Sequence, residues 1–200
     1  MGVDPGLAHT GWAIIQTRGG DCRARAYGCI TTSPDEPLSQ RLATIYQELA
    51  DAIEKYQPTE FAIEKIFFGQ NERSAILTAQ ARGAALVAAA TANLVVGEYT
   101  PIQIKQAIVG TGAADKHQVS YMVRNVLALD HIPRPDHAAD ALAAAICHAN
   151  MRRTAMGQRR GAWEQVEEAK AAQAAFERAE AAEVTAAANA ARAARRKADK

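Results

Sequence analysis

The sequence predicts an α/β layer fold: a mixed five-stranded sheet flanked by helices, with a tail appended at the C-terminus. Three observations carry that expectation. Strand-like stretches crowd the first 32 residues, separated by Pro-Gly and Gly-Gly turns. Two more short apolar runs, 61–64 and 94–96, then alternate with longer stretches of helical periodicity. Beyond about Gly157 the composition shifts abruptly to Ala, Glu and Arg, with no proline.

Gly2-Val3-Asp4 reads as the end of a strand, Pro5-Gly6 as a tight turn, and the apolar residues Trp12 to Ile15 as a second strand. Asp4 is thereby set at a strand tip, where a carboxylate packs poorly and binds well. Arg18-Gly19-Gly20-Asp21 is a second turn, and residues 22–32 alternate as a third strand, completing an antiparallel meander. Ser33 to Pro37 opens a helix, with Pro and acidic residues at its start. Leu38, Leu42, Ile45, Leu49 and Ile53 form its apolar stripe, and Gln57-Pro58 stops it. Phe61-Ala62-Ile63 is a buried strand with Glu64 at its tip. Residues 72–93 are helical and unusually rich in Ala and Gly, with Ala75, Ala79 and Gly83 on one face. Leu94-Val95-Val96 starts a fifth strand, ended by Pro101. Three helices follow: 102–109, broken by Gly110-Thr111-Gly112; 115–129, with Val119, Met122 or Val123, Val126 and Leu129 on one side; and 136–150 around Leu142 and Ile146.

The expected organisation is one domain over 1–156 and a tail over 157–200, a long helix or frayed segment with few apolar anchors. Formal net charge is +1, so no global field points to a polyanion. The tail holds nine Lys/Arg and seven Asp/Glu, which leaves the domain nearly neutral and any polyanion site local. The basic tail end either adds sequence-independent phosphate contacts or only keeps the protein soluble. Cys22, Cys29 and Cys147 have neither metal-ligand spacing nor an even count for disulfides. The first residues lack the pattern of a signal peptide, and no run has the length of a membrane span. A reducing cytoplasm is the expected location.

Asp4, Glu64 and the segment Asp136-His137-Ala138-Ala139-Asp140 are the candidate ligands. If the first and fourth strands are neighbours, their tips converge, and the last helix brings its first turn beside them. His137 and Asp140, at i and i+3, share a face, as do Asp136 and Asp140. Asp136 is also a natural N-cap. An unpaired Asp140 inside Ala-Ala-Asp-Ala-Leu would be costly. Hard oxygen donors in a cleft suit Mg²⁺ or Mn²⁺ better than zinc, and a divalent cation relieves the repulsion among crowded carboxylates. His137, near a helix N-terminus, is expected to be kept neutral, as a ligand or a proton carrier.

Four segments carry a resemblance: 2–6 (Gly-Val-Asp-Pro-Gly), 62–67 (Ala-Ile-Glu-Lys-Ile-Phe), 105–116 (Lys-Gln-Ala-Ile-Val-Gly-Thr-Gly-Ala-Ala-Asp-Lys) and 137–142 (His-Ala-Ala-Asp-Ala-Leu). In this order they resemble the signatures of the RuvC family of bacterial Holliday-junction resolvases, over roughly residues 1–150. The resemblance implies a ribonuclease-H-like fold and catalytic, metal-binding roles for Asp4, Glu64, His137 and Asp140. Aligned without a gap, it selects His137 over Asp136. It further implies two Mg²⁺ ions per site (with Mn²⁺ as a substitute) and hydrolysis of phosphodiesters by paired, symmetric nicks in a four-way DNA junction. A homodimer working beside the RuvA–RuvB branch-migration complex in recombination and repair follows from the same likeness. Members usually carry several residues before the matching Gly-Val-Asp. Only Met1 stands there here, so either the start lies upstream or the first strand is short and holds Asp4 less firmly.

Phe67, at the lip of the expected site, matches the family position that wedges into the junction centre. Phe68 either joins it or packs in the core. Lys105 and Lys116 flank the Gly110 loop, and Lys116 at a helix start opposes the dipole unless a phosphate is bound there. The loop lacks P-loop spacing. Arg73 and Arg82 touch DNA or are merely solvated. The face of Ala75, Ala79 and Gly83 is a dimer contact or a close-packed seam on the sheet. Two other functions share part of the pattern. A phosphotransferase of the actin–sugar-kinase type also begins with a strand-Asp-x-Gly loop, but needs a second, duplicated domain. A non-cleaving junction binder does not need all four candidate ligands.

Overall fold

The structure is a computed structural model that describes residues 1–66 and 72–154. Its elements run β1 (Gly2–Asp4), β2 (His9–Arg18), β3 (Asp21–Thr31), α1 (Leu38–Tyr56), β4 (Glu60–Glu64), α2 (Glu72–Thr91), β5 (Val95–Tyr99), α3 (Pro101–Val109) and α4 (Lys116–Val126), followed by α5 over 136–154. The strands form one sheet in the order β3-β2-β1-β4-β5. β2 pairs antiparallel with β1 and β3, whereas β4 pairs parallel with β1 and β5. The mixed sheet and its meander are as expected. β1 is short, yet held on both sides: Gly2 and Val3 lie opposite Ala13 and Trp12 in β2 and Ala62 and Ile63 in β4. Met1–Arg152 clusters as one compact unit. The expected boundary at 156/157 and the tail lie outside the described residues.

The helix ends follow local chemistry. Thr100 caps α3 in a capping box with Gln103, and Pro101 occupies the first turn. Asp115 does the same for α4 with Gln118, which makes Lys116 its first helical residue. Gln57 and Gly110 end α1 and α3 in the left-handed conformation. Three expectations need correction. Asp35 and Glu36 precede α1 rather than entering its first turn, because the helix starts only after Pro37. α4 ends at Val126, and Leu127, not Val126, turns into the core. Asp136 is not an N-cap: the Pro135 carbonyl accepts the amides of Ala138 and Ala139, and Asp136 is already helical.

Helices cover both faces of the sheet. On one, α1 and α2 bury Ile45, Leu49, Ile53, Ala81 and Ala85 against Val3, Ile14, Phe61 and Ile63. On the other, α3, α4 and α5 pack Ile104, Val123, Leu142 and Ile146 over Ala13 and Ala62. That second face is unusually bare. Ala13, Gly2, Ala62 and Gly97 lie in one register row across β2, β1, β4 and β5. α5 sinks into the resulting trough. A Cβ on Gly2 would stand 2.2 Å from the Ala141 carbonyl oxygen, and one on Gly97 2.5 Å from the His148 ring. Only side chains this small let a helix lie so close to a sheet.

The far end of α5 is tied down by a cluster of polar groups around the buried His148. The Tyr99 hydroxyl lies 2.7 Å from His148 Nδ1, and His148 Nε2 lies 2.7 Å from Glu60 Oε2. Burial lowers the His148 pKa, favouring the neutral ring: Tyr99 then donates to Nδ1, and Nε2–H donates to the carboxylate. Arg152 closes the cluster on the other Glu60 oxygen at 2.7 Å.

Candidate active site

Trough and register together set the site. Asp4 is the last residue of β1 and Glu64 the last of its parallel neighbour β4, so both carboxylates emerge at the same sheet end. Two register rows nearer that end than Gly2, Gly11 lies opposite Asp4 on β2. A Cβ on Gly11 would be 1.8 Å from the His137 carbonyl oxygen. The first turn of α5 therefore rests on bare β2 backbone, and His137 and Asp140 arrive beside Asp4. His137 Nδ1–H donates to Asp4 Oδ2 at 2.8 Å. Ligand atoms of Asp4, His137 and Asp140 lie within 4.8 Å of one another, a spacing that suits one cation.

Glu64 is not part of that close trio, but it feels it. Its pKa is pushed up to about 7, first by burial and then by the charges of Asp4 and Asp140; Lys105 and Lys116 oppose the rise. Burial also holds the Asp140 carboxyl above its ordinary value, with Asp4 adding and the Lys116 hydrogen bond opposing. His137 departs from expectation. The hydrogen bond to Asp4 raises its pKa against the effect of burial, with the charges of Asp4 and Asp140 adding to the rise and Lys116 opposing it.

Lys116 explains its odd place at a helix start. Its ammonium lies 3.0 Å from Asp140 Oδ2 and 3.5 Å from Asp136 Oδ2. Burial works against the charge, but the bonds and charges of Asp140 and Asp136 outweigh it and raise the pKa. Asp136 is further occupied by Arg134 at 2.8 Å and stands outside the trio of ligands. Lys105, half-buried on α3, acts on Glu64 through its field. Phe67, Phe68 and the Arg73 side chain lie outside the described residues.

The donor set fits a hard divalent cation. Burial and the neighbouring acids together hold a proton on Glu64 near neutrality, and a positive ion beside these carboxylates would relieve that penalty. Asp4, Asp140 and His137 offer one ligand atom each, with Glu64 beside them.

Two neighbours of the site take roles that the sequence does not indicate: His9, which carries no signal there, and Arg82, expected only to touch DNA or to be solvated. The His9 ring stacks on His137, with centroids 5.5 Å apart and planes at 24°. Arg82 donates from Nε to the Glu64 carbonyl at 3.2 Å and pairs with Glu98, so it braces the tip of β4 rather than standing free in solvent. No period or motif marks either residue. Only the position of His9 five residues after Asp4, within the same hairpin, hinted at proximity.

Known proteins point the same way. The family model described as crossover junction endodeoxyribonuclease RuvC matches residues 1–148. A crossover junction endodeoxyribonuclease RuvC from Desulforamulus reducens is 47% identical over 158 residues, covering 79% of this chain and 97% of the relative. The solved structure of Thermus thermophilus RuvC in complex with a Holliday junction substrate superposes with a TM-score of 0.74 at 38% identity, covering 77% of this chain and 94% of that one. The yeast mitochondrial Holliday junction resolvase Ydc2, at 9% identity and a TM-score of 0.53 over 74% of this chain and 75% of its own, shares the fold. Strand order, the acids at the two strand tips and the match over residues 1–148 agree: this chain belongs to the RuvC family of crossover junction endodeoxyribonucleases.

Proposed function

We propose that this protein resolves four-way DNA junctions by Mg²⁺-dependent hydrolysis of phosphodiesters, nicking two opposed strands symmetrically as a homodimer. The observation that carries the metal-dependent reading is the acid cluster itself. Asp4, His137 and Asp140 converge within 4.8 Å, and Glu64 is pushed up to about 7 beside them. Two Mg²⁺ ions, or Mn²⁺ in their place, would supply Lewis-acid stabilisation of the developing charge and a more acidic water. Asp4, Glu64 and Asp140 would hold that positive charge between strand tips and helix. His137, with Nδ1 committed to Asp4, keeps Nε2 for ligation or for carrying a proton. Lys116 holds Asp140 in place and, with Lys105, offers positive charge to a phosphate at the rim. Phe67 and Phe68, reached three and four residues after Glu64, stack on bases at the junction centre, and Arg73 adds a backbone contact.

The dimer reading favours α2. Ile76 and Val87 are 55% and 56% exposed, and a Cβ on Gly83 would meet nothing within 4 Å. With the exposed Ala79 they line an outward, apolar face; Ala75, grouped with Ala79 and Gly83 in the sequence, is 8% exposed and turned inward. A RuvA–RuvB motor is the partner the family suggests, and the cytoplasm is where such DNA lies. Among the described residues no helix is long and apolar enough to cross a membrane.

The test is a synthetic four-way junction incubated with protein and Mg²⁺. Paired, ligatable nicks support the reading. ATP turnover or a gel shift without scission would replace it with a phosphotransferase or a non-cleaving binder. Phe67→Ala is expected to bind the junction and cut it poorly; normal cutting would exclude the wedge.

A further inference from the structure

We infer that His9 is a positioning residue for the reaction: its ring forms the wall that fixes the plane of His137. The inference rests on the proposed role of His137 at the metal centre.

The His137 side chain is 41% exposed, so its ring is not gripped on all sides. One hydrogen bond, from Nδ1 to Asp4 Oδ2, anchors it at one edge. That bond leaves the ring free to tilt, because the torsion about the Cβ–Cγ bond of an imidazole is broad. A ligand or proton carrier whose working atom is Nε2 cannot tolerate such tilting, since Nε2 lies at the far side of the ring from the anchor. The neighbour that limits it is His9, stacked 5.5 Å away at 24°.

His9 is itself held. It is the first residue of β2, pairs with Thr31 of β3 in the sheet, and its Nδ1 lies 3.3 Å from Thr31 Oγ1. The wall thus belongs to the rigid meander, while the ring it restrains belongs to α5. Gly11, two residues along β2, supports the backbone of His137, so the same strand carries both backbone and ring. Groups that orient a ligand without touching the metal commonly change affinity or activity by about 10–100-fold when removed.

The experiment compares His9→Ala, His9→Phe and His9→Gln in the full chain. Without metal, ¹⁵N relaxation of the His137 ring is expected to show exchange broadening in His9→Ala and His9→Gln, and wild-type behaviour in His9→Phe, whose flat ring restores the stack. With a four-way junction at saturation, kcat in Mg²⁺ is expected to fall about tenfold in His9→Ala, with Mn²⁺ affinity falling alongside, and to recover in His9→Phe. KM and thermal stability are expected to stay close to wild type, which separates positioning from a general loss of structure. An unchanged His137 ring in His9→Ala overturns the inference. So does recovery by His9→Gln but not by His9→Phe, which would assign His9 a polar contact instead. A loss of junction affinity that matches the loss of rate would assign it to DNA binding and equally overturn it. If wild type fails to cut junctions, the proposed function falls, while the ring measurement still decides whether His9 fixes His137.

Discussion

Replacing Glu64 by Gln removes a charge the folded protein holds at a cost, and the size of that cost can be worked out. The carboxyl stands at about 7 instead of its usual 4.5. At about 1.4 kcal/mol per tenfold change, that rise is a penalty of about 3 kcal/mol on the ionised group in the fold. Glu64 retains some solvent contact, so about 2 kcal/mol is a better expectation. The sign follows from the direction. Below pH 4.5 folded and unfolded chains are both protonated, and the penalty is absent. It grows between 4.5 and about 7 and is complete above. In chelator, the wild type should therefore lose stability across this window, and Glu64→Gln should lose less. Circular dichroism melts at pH 5 and pH 8 read this directly. The variant should melt about 4–8 °C above wild type at pH 8 and close to it at pH 5, given about 2–4 °C per kcal/mol for a domain of this size. Adding Mg²⁺ at pH 8 should raise the wild-type midpoint and leave the variant nearly unmoved. An equal gain at both pH values, or none at pH 8, would show that Glu64 does not sit in a crowded acidic site.

Asp4→Asn and Asp140→Asn should each cut junction scission at least a hundredfold while junction binding in Ca²⁺ is kept, as compared by gel shift and nicking on the same preparation. Gly11→Ala should destabilise the fold by about 1–3 kcal/mol and weaken Mn²⁺ binding, because its Cβ would stand 1.8 Å from a backbone oxygen that cannot swing aside. Calorimetric titration at a temperature where the variant is folded checks it, and wild-type affinity would refute the seat. Gly83→Leu has room in the monomer. It should leave the melting midpoint nearly unchanged yet yield monomers by sedimentation; an intact dimer would move the contact away from α2.

What could be read in advance was what is local. Asp4 before Pro5-Gly6 and Asp140 amid alanines announce themselves, because a carboxylate in an apolar setting has few structural reasons to be there. Strand boundaries came within a few residues for the same reason: turn chemistry and apolar runs are short-range signals. The row Ala13–Gly2–Ala62–Gly97 was invisible, since its members are far apart in the chain and only the sheet register aligns them. Whether Ala75, Ala79 and Gly83 face a partner or the sheet stays open in the sequence, because a helix rich in small residues has little amphipathic contrast, and the structure turns Ala75 inward while Ala79 is exposed. The neutral His137 was expected from a helix dipole, a weak field, when a carboxylate 2.8 Å away governs it. His9 and Arg82 act through tertiary contacts that leave no trace in spacing.

The seating of α5 on bare backbone has a consequence for how substrate is chosen. Acids borne on two adjacent central strands, faced by a helix that has no slack beneath it, make an anvil that cannot reach out. If these acids act on a phosphodiester as proposed, the phosphate would have to be delivered to them, and the work of bending would fall on the nucleic acid. An intact duplex resists that deformation, whereas a crossover already open at its heart yields cheaply.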